Sequence, residues 1–232
     1  ARVSIGESGS PARDLRQASQ KNVRTSFWLG ANIRQLWPFS TVAAGCGPDG
    51  PAMTTSPETI TLTSAQLFSE ARTHNAWQDR PVAPELLREL HERLKWAPTA
   101  MNCGPLRVRF IVSAEARAAL LPLMAEGNRA KTAAAPVVAV LGADLDFPAT
   151  MGRLAPHVPA AAFAGQPAKV EHMARFNATL QTGYFILAAR SLGLDCGPMA
   201  GFDAAGVDAA FWGGTAVKTL LVCNLGHGDP AG

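Results

Sequence analysis

Four short stretches gather the side chains able to hold a charged or heteroaromatic ligand, each at a pause in an apolar pattern. Ala71-Arg72-Thr73-His74-Asn75-Ala76-Trp77 sets an arginine beside hydroxyl, imidazole and amide groups. Such a set can hold a phosphate through charge-assisted hydrogen bonds. Arg72 can equally lie against the C-terminal end of its own helix. In Ala97-Pro98-Thr99-Ala100-Met101-Asn102-Cys103-Gly104-Pro105, prolines and a glycine fix an extended loop. Asn102 there offers donor and acceptor together to the edge of a heterocycle; the plain alternative is a helix–strand connection. Gly127-Asn128-Arg129-Ala130-Lys131-Thr132 repeats that offer through Asn128, or is an asparagine turn. Asp195-Cys196-Gly197-Pro198-Met199-Ala200-Gly201-Phe202-Asp203 has glycines that admit close backbone approach to a ligand. Its plain alternative is a turn in which Asp203 caps the next helix.

The elements that must position these stretches follow from periodicity and punctuation. Thr63 or Ser64 can cap a helix through Arg72, with Leu67, Phe68 and Ala71 on one side. Pro84 suits the first turn of a helix running to Trp96, with Leu87, Leu90 and Leu94 at helical spacing. Val108–Val112 and Val137–Leu141 read as strands, with a helix over Ala114–Met124 between them. A Pro- and Gly-rich excursion with short helices spans 143–166. The spacing then predicts a long helix over Lys169–Leu192, its core face tracked by Val170, Met173, Leu180, Tyr184, Leu187 and Ser191. A Gly/Pro-rich turn at 193–201, a short helix over Asp203–Phe211 and a strand over Thr219–Leu225 complete the pattern. Helices thus separate a few strands, which gives an α+β class with a mixed central sheet between helical layers.

Composition removes whole classes of function. The chain has 232 residues, 47% of them hydrophobic and 17% charged, enough apolar material for a sizeable core. Of the 21 basic and 18 acidic residues, six and three fall within residues 1–52, leaving fifteen of each beyond. The +3 net charge therefore belongs to the N-terminal segment, and the neutral remainder is no nucleic-acid binder. The four cysteines are widely spaced without a C-x-x-C pair, which points to free thiols in a reducing cytoplasm. Scattered histidines suggest no metal site, and no charge-free run is long enough for a membrane span. Phe27–Ala44 faintly resembles a signal sequence, but Arg34 and Gln35 interrupt it. Dinucleotide, P-loop, H-E-x-x-H and G-x-S-x-G motifs are absent. Asn177-Ala178-Thr179, a formal glycosylation sequon, falls inside the long helix.

In their order and separations, the four stretches resemble the FMN-binding segments of the nitroreductase family. The nearest likeness is to its malonic semialdehyde reductase branch. The resemblance also rests on Lys95-Trp96-Ala97-Pro98-Thr99 and Gly226-His227-Gly228-Asp229-Pro230, and extends from about Leu67 to Pro230. It implies an intertwined homodimer with FMN at the subunit interface. On it, Arg72, Thr73 and His74 would hold the phosphate and ribityl chain, while Pro98, Thr99, Ala100 and Asn102 would come from the opposite subunit. Asn128 would face the pyrimidine edge, and Pro198, Met199, Ala200 and Gly201 would line the ring. No side chain is expected to be catalytic, because the flavin carries the hydride from NADPH (or NADH) to a small electrophile. The implied reaction is ping-pong reduction of malonic semialdehyde to 3-hydroxypropionate in pyrimidine degradation. Arg129, and next Arg107, are the candidates to meet a substrate carboxylate.

Two alternatives stay open: a broad NAD(P)H nitro or quinone reductase, and a non-catalytic flavin-binding or structural dimer. The second arises from the expectation that the family's basic C-terminal segment is missing; Ala200, where family members usually place a polar residue, is a separate departure that would leave only backbone contacts. Residues 1–52 are expected to be a poorly ordered extension, with the FMN-binding domain, lacking that tail, over 53–232.

Overall fold

The computed structural model describes residues 63–231 and the backbone of Trp28–Leu29. The rest of the expected 1–52 extension lies outside the described residues. Strand β1, Trp28–Leu29, edges a sheet continued by β2 (Leu106–Ile111), β3 (Val137–Asp144), β4 (Asp195–Met199) and β5 (Val217–Gly226). The order is β1-β2-β3-β5-β4, and each neighbouring pair is antiparallel. The parallel part of the expected mixed sheet is one bridge, Thr73 to Cys196. Helices α1 (Pro84–Leu94), α2 (Ala114–Leu120), α3 (Glu126–Ala134), α4 (Pro167–Arg190) and α5 (Ala204–Phe211) flank this sheet.

The continuous apolar run of β3 shows why the sheet is covered on both sides. Val137, Ala139, Leu141 and Ala143 join a core with Leu87 and Leu90 of α1 and Ala178 and Phe185 of α4. The alternate residues Val138 and Val140 pack in a second core with Leu120 of α2 and Val207 and Phe211 of α5. A strand buried on both faces reads as unbroken hydrophobicity rather than alternation.

Several expected elements are reshaped by tertiary contacts. The helix expected over 63–72 shrinks to one π-helical turn, Ala65–Ser69. At its start Gln66 N donates to Thr63 Oγ1 (3.2 Å) and Thr63 N to Gln66 Oε1 (2.9 Å), a reciprocal cap. The chain leaves the turn because the next residues pair with β4 instead. The supposed turn at 193–201 holds β4, and the polar stretch around Asn128 is the helix α3.

The face of α4 is also partly reversed. Its buried residues are Ala174, Asn177, Ala178, Gln181, Thr182, Phe185 and Ala189. Leu180 and Tyr184, expected in the core, are 42% and 40% exposed, and Phe176 is 64% exposed. Small residues let α4 approach the sheet closely, while its amides serve backbone donors below. Phe185 reaches the core, whereas Phe176, Leu180 and Tyr184 are left on the outer face.

Candidate functional site

Strand β4 lies at the sheet edge, and three of the four stretches meet along it. At its start, Thr73 bridges Cys196 and His74 N donates to Cys196 O at 3.1 Å. His74 Nε2 stands 3.6 Å from Asp195 Oδ1, whose other oxygen accepts from Gly228 N at 2.8 Å. Only glycines allow this approach. A Cβ at Gly228 would fall 2.1 Å from His74 Nδ1, and one at Gly197 2.6 Å from His74 O. Trp77 then bridges Gly228, and Gln78 N donates to His227 O, so the segment 72–78 is clamped between β4 and the chain end of β5. Exposed Arg72 turns Nη1 to Ser69 O (2.7 Å) and Ala71 O (2.9 Å), the carbonyls of its own turn.

At the other end of β4, Asn128 Nδ2 donates to Gly201 O (2.9 Å), which also accepts from Ala125 N (3.0 Å). A Cβ on Gly201 would lie 2.7 Å from Asn128 Nδ2, so glycine is what seats α3 against the strand end. Ladder parity fixes which groups point outward. Cys196 turns its carbonyl to His74, so Pro198 faces the same open edge, away from β5, and the same alternation carried one step past the last ladder pair at Met199 takes in Ala200. Pro198 has no N–H to present there, and Ala200 has one. Cys196 and Gly201 are five residues apart, about 16 Å of extended chain.

The fourth stretch lies elsewhere in the chain. Ala100 N donates to Asn177 Oδ1 (2.7 Å) and Asn102 Nδ2 to Leu154 O (2.9 Å). The loop enters β2 at Leu106, opposite Ala143, whereas Cys196 aligns through Leu225 with Val137. Those positions are six residues apart on β3, about 20 Å. One chain therefore brings Arg72, Thr73, His74, Asn128 and Pro198–Gly201 together, and sets Pro98, Thr99, Ala100 and Asn102 apart.

The two cations considered for a substrate carboxylate have internal partners. Arg129 donates from Nε to Met124 O (2.9 Å) and from Nη2 to Pro122 O (3.3 Å). Arg107 Nη2 pairs with Asp144 Oδ2 at 2.7 Å, and its Nη1 bonds Gly104 O and Leu106 O.

Residues 69–227 match the profile of the Nitroreductase family. The chain belongs to the nitroreductase family. A Leptothrix cholodnii relative, provisionally named NADH dehydrogenase/NAD(P)H nitroreductase, is 72% identical over 174 residues, covering 74% of this chain and 88% of its own. A Burkholderia lata relative of the same provisional name is 54% identical over 168 residues, 72% of this chain and 86% of its own. Among solved structures, an FMN complex of a provisionally assigned nitroreductase from Exiguobacterium sibiricum superposes with TM-score 0.67 at 17% identity. It covers 74% of this chain and 90% of that one. A Streptococcus pneumoniae family protein gives TM-score 0.61 at 23% identity, over 71% of this chain and 90% of its own. At these identities the two structures establish the nitroreductase fold.

Within this nitroreductase fold, the sequence reading passed over groups that shape the site without standing in it. Asn177 holds the Pro98–Asn102 loop, and buried Asn224 donates to Lys131 O (3.1 Å), tying α3 to β5. Lys131 itself is one helical turn beyond Asn128. Trp77 lies over Gly197 and Gly226 of neighbouring strands. These are long-range contacts with no local signature. Cys103, Cys196 and Cys223 are buried and free. A hydrogen bond with Cys196, and then burial, raises the Cys223 thiol well above its ordinary range. Burial pushes Cys103 up as well. Neither of these two thiols is set up as a nucleophile. No His, Cys, Asp and Glu cluster fit for a metal occurs among the described residues.

Proposed function

We propose that the chain is an FMN-dependent oxidoreductase that uses NAD(P)H, with the flavin along the open edge of β4. The observation that carries this reading is the meeting of Arg72–His74, Asn128 and Pro198–Gly201 along one strand edge that is bridged only at Cys196 among the described residues. The donors present fit the group. A guanidinium stands at one end for a phosphate, and a main-chain N–H and a carboxamide stand at the other for a ring edge. The absence of a side chain at Gly201 lets Asn128 sit against the strand end.

FMN, when bound, supplies the hydride chemistry, so the protein needs no nucleophile. Arg72, Thr73 and His74 anchor the phosphate and ribityl chain. Asn128 meets the pyrimidine edge, and Pro198, Met199, Ala200 and Gly201 line the ring, with Ala200 N–H as donor. Pro98, Thr99, Ala100 and Asn102 serve the site of a second copy. A homodimer is favoured by the exposed stripe Phe176, Leu180 and Tyr184 on α4, and by exposed Trp96 and Phe68. Such aligned apolar surface marks an interface.

Within the class, we take the substrate to be malonic semialdehyde. Its aldehyde carbon gains a hydride and its oxygen a proton, giving 3-hydroxypropionate as NADPH becomes NADP+. A place in cytoplasmic pyrimidine degradation rests on the same resemblance, as does Arg129 as carboxylate partner, a role that requires it to release Met124 O or Pro122 O. The relatives' provisional names favour a second reading, the reduction of nitroaromatics or quinones. Steady-state rates with both substrate sets separate the two; absence of aldehyde turnover removes the first. Arg72→Ala tests the site itself. FMN affinity, read by quenching of flavin fluorescence, should fall about tenfold or more for a lost charge-assisted bond, with circular dichroism unchanged. Unchanged affinity would remove the phosphate assignment.

A further inference from the structure

The Pro98–Asn102 loop carries unusual backbone. Met101 and Asn102 lie at φ 54° and 52°, two successive side-chain-bearing residues in the left-handed region, and Gly104 follows at 46°. Such a run persists only where its surroundings over-determine it. Beside the turn's own bonds, Asn102 N to Thr99 O (3.0 Å) and Cys103 N to Ala100 O (3.2 Å), three bonds with side chains do so here. Gly104 N donates to Thr99 Oγ1 (3.1 Å), Asn102 Nδ2 to Leu154 O (2.9 Å), and Ala100 N to Asn177 Oδ1 (2.7 Å).

The last is the shortest and comes from the core. Asn177 is 2% exposed, and its Nδ2 donates to Met173 O (2.9 Å), so α4 fixes the orientation of the amide. One turn on, Gln181 Oε1 accepts from Leu106 N (3.0 Å) where the loop becomes β2. Carboxamides at buried positions of a helix give up the packing an apolar side chain would provide. Both are spent on this loop and its exit. On the outer side, Pro98, Ala100, Met101 and Asn102 are exposed.

We propose that Asn177 is a positioning residue for cofactor binding in trans. By holding Ala100 N it fixes the left-handed turn, so that Thr99, Ala100 and Asn102 are presented already shaped to the flavin site of a second copy. This rests on the reading that those residues complete that site. It assigns a function to a residue that touches no ligand.

The test compares three variants of the full chain: Asn177→Ala, Asn177→Asp and Gln181→Leu. Asp keeps the acceptor for Ala100 N, whereas Leu at 181 removes a core amide bond without touching the turn. Two signals are read: FMN affinity by fluorescence titration, and hydrogen exchange of the 99–102 amides in FMN-free protein. Asn177→Ala should weaken FMN about tenfold, the effect of one lost bond, and speed exchange at Ala100. Asn177→Asp, which keeps the acceptor but loses the donor to Met173 O, should recover part of both signals, and Gln181→Leu should lower thermal stability while leaving FMN within about twofold. Wild-type FMN affinity in Asn177→Ala, no rescue by Asp, or an equal loss in Gln181→Leu would each overturn the proposal. If the wild-type chain takes up no FMN at all, the underlying functional reading falls, and the proposal with it.

Discussion

The ion pair of Arg107 and Asp144 ties the exit of the Pro98–Asn102 loop to the end of β3, and its removal should be costly. Arg107 Nη2 and Asp144 Oδ2 are 2.7 Å apart, with 14% and 15% of their side chains exposed. Asp144→Asn keeps the shape, and the acceptor for Asp146 N, but strands the guanidinium against low-dielectric surroundings. Removing one partner of a buried pair costs about 3–5 kcal/mol. Residual exposure here argues for the lower end, about 3 kcal/mol. For a domain of this size that corresponds to a fall of about 6–12 °C in the melting midpoint. Replacing both groups by apolar residues, Arg107→Met with Asp144→Leu, should recover to within about 1 kcal/mol of wild type, because no charge is left unpaired. Urea unfolding of Arg107→Met, Asp144→Leu and the double variant measures the coupling directly. A cost below about 0.5 kcal/mol for Asp144→Asn, typical of a surface pair, would refute the burial argument. KM of properly folded Asp144→Asn should not change, since Arg107 is committed to structure rather than substrate.

Three further outcomes are expected. Burial holds His91 below its ordinary 6.5 despite the upward pull of Glu92, so the unfolded chain takes a proton that the folded one refuses. Stability should therefore fall as pH drops through about 6.5 and level off below the folded value, with His227 adding a shift of the same sign. Urea midpoints from pH 8 to 5 should flatten in His91→Leu; an unaltered profile would remove His91 as a contributor. Phe176→Glu with Tyr184→Glu charges the exposed stripe of α4 and should give a monomer by sedimentation, together with weaker FMN binding. A wild-type monomer that binds FMN tightly would sink the interface assignment. Gly201→Ala puts a methyl 2.7 Å from Asn128 Nδ2 and should displace that amide, lowering FMN affinity about tenfold and the melting midpoint by about 2–4 °C for each kcal/mol of overpacking. Undiminished affinity would remove Asn128 from the site.

What could be read from the sequence depended on whether the signal was local. Pro84 and the Leu87, Leu90, Leu94 spacing locate α1, and Asp203 caps α5 as expected, accepting from Gly206 N at 3.1 Å. The runs at 108–112 and 137–141 mark β2 and β3, because a buried strand advertises itself by composition. Periodicity misled on α4. Leu180 and Tyr184 supplied an apolar stripe, but the face turned to the sheet is built of alanines, two carboxamides, Thr182 and Phe185. A stripe alone does not say whether the chain's own core or a second copy covers it. The meeting of Arg72–His74 with Cys196 was beyond reach of any local pattern, since it pairs residues more than a hundred positions apart.

Pro198 is where the local and long-range arguments join. Glycine and proline are poor strand formers, and so Asp195–Met199 reads as a turn. At a sheet edge, though, proline is permitted where its missing N–H faces away from the neighbouring strand, and parity puts Pro198 in that orientation. The consequence extends to the segment from Arg72. Its pairing begins with His74 N donating to Cys196 O. A parallel ladder would continue with the N–H of residue 198 donating to His74 O, and proline has none to give. Pairing therefore stops at an isolated bridge, and the chain turns off to set Trp77 against Gly228. The edge from Pro198 to Ala200, about 7 Å long, is left unzipped. A β-branched residue at 198 would have announced the strand and invited the segment to close over it. The residue that hides β4 from a propensity reading is thus the one that keeps its edge open for the proposed flavin.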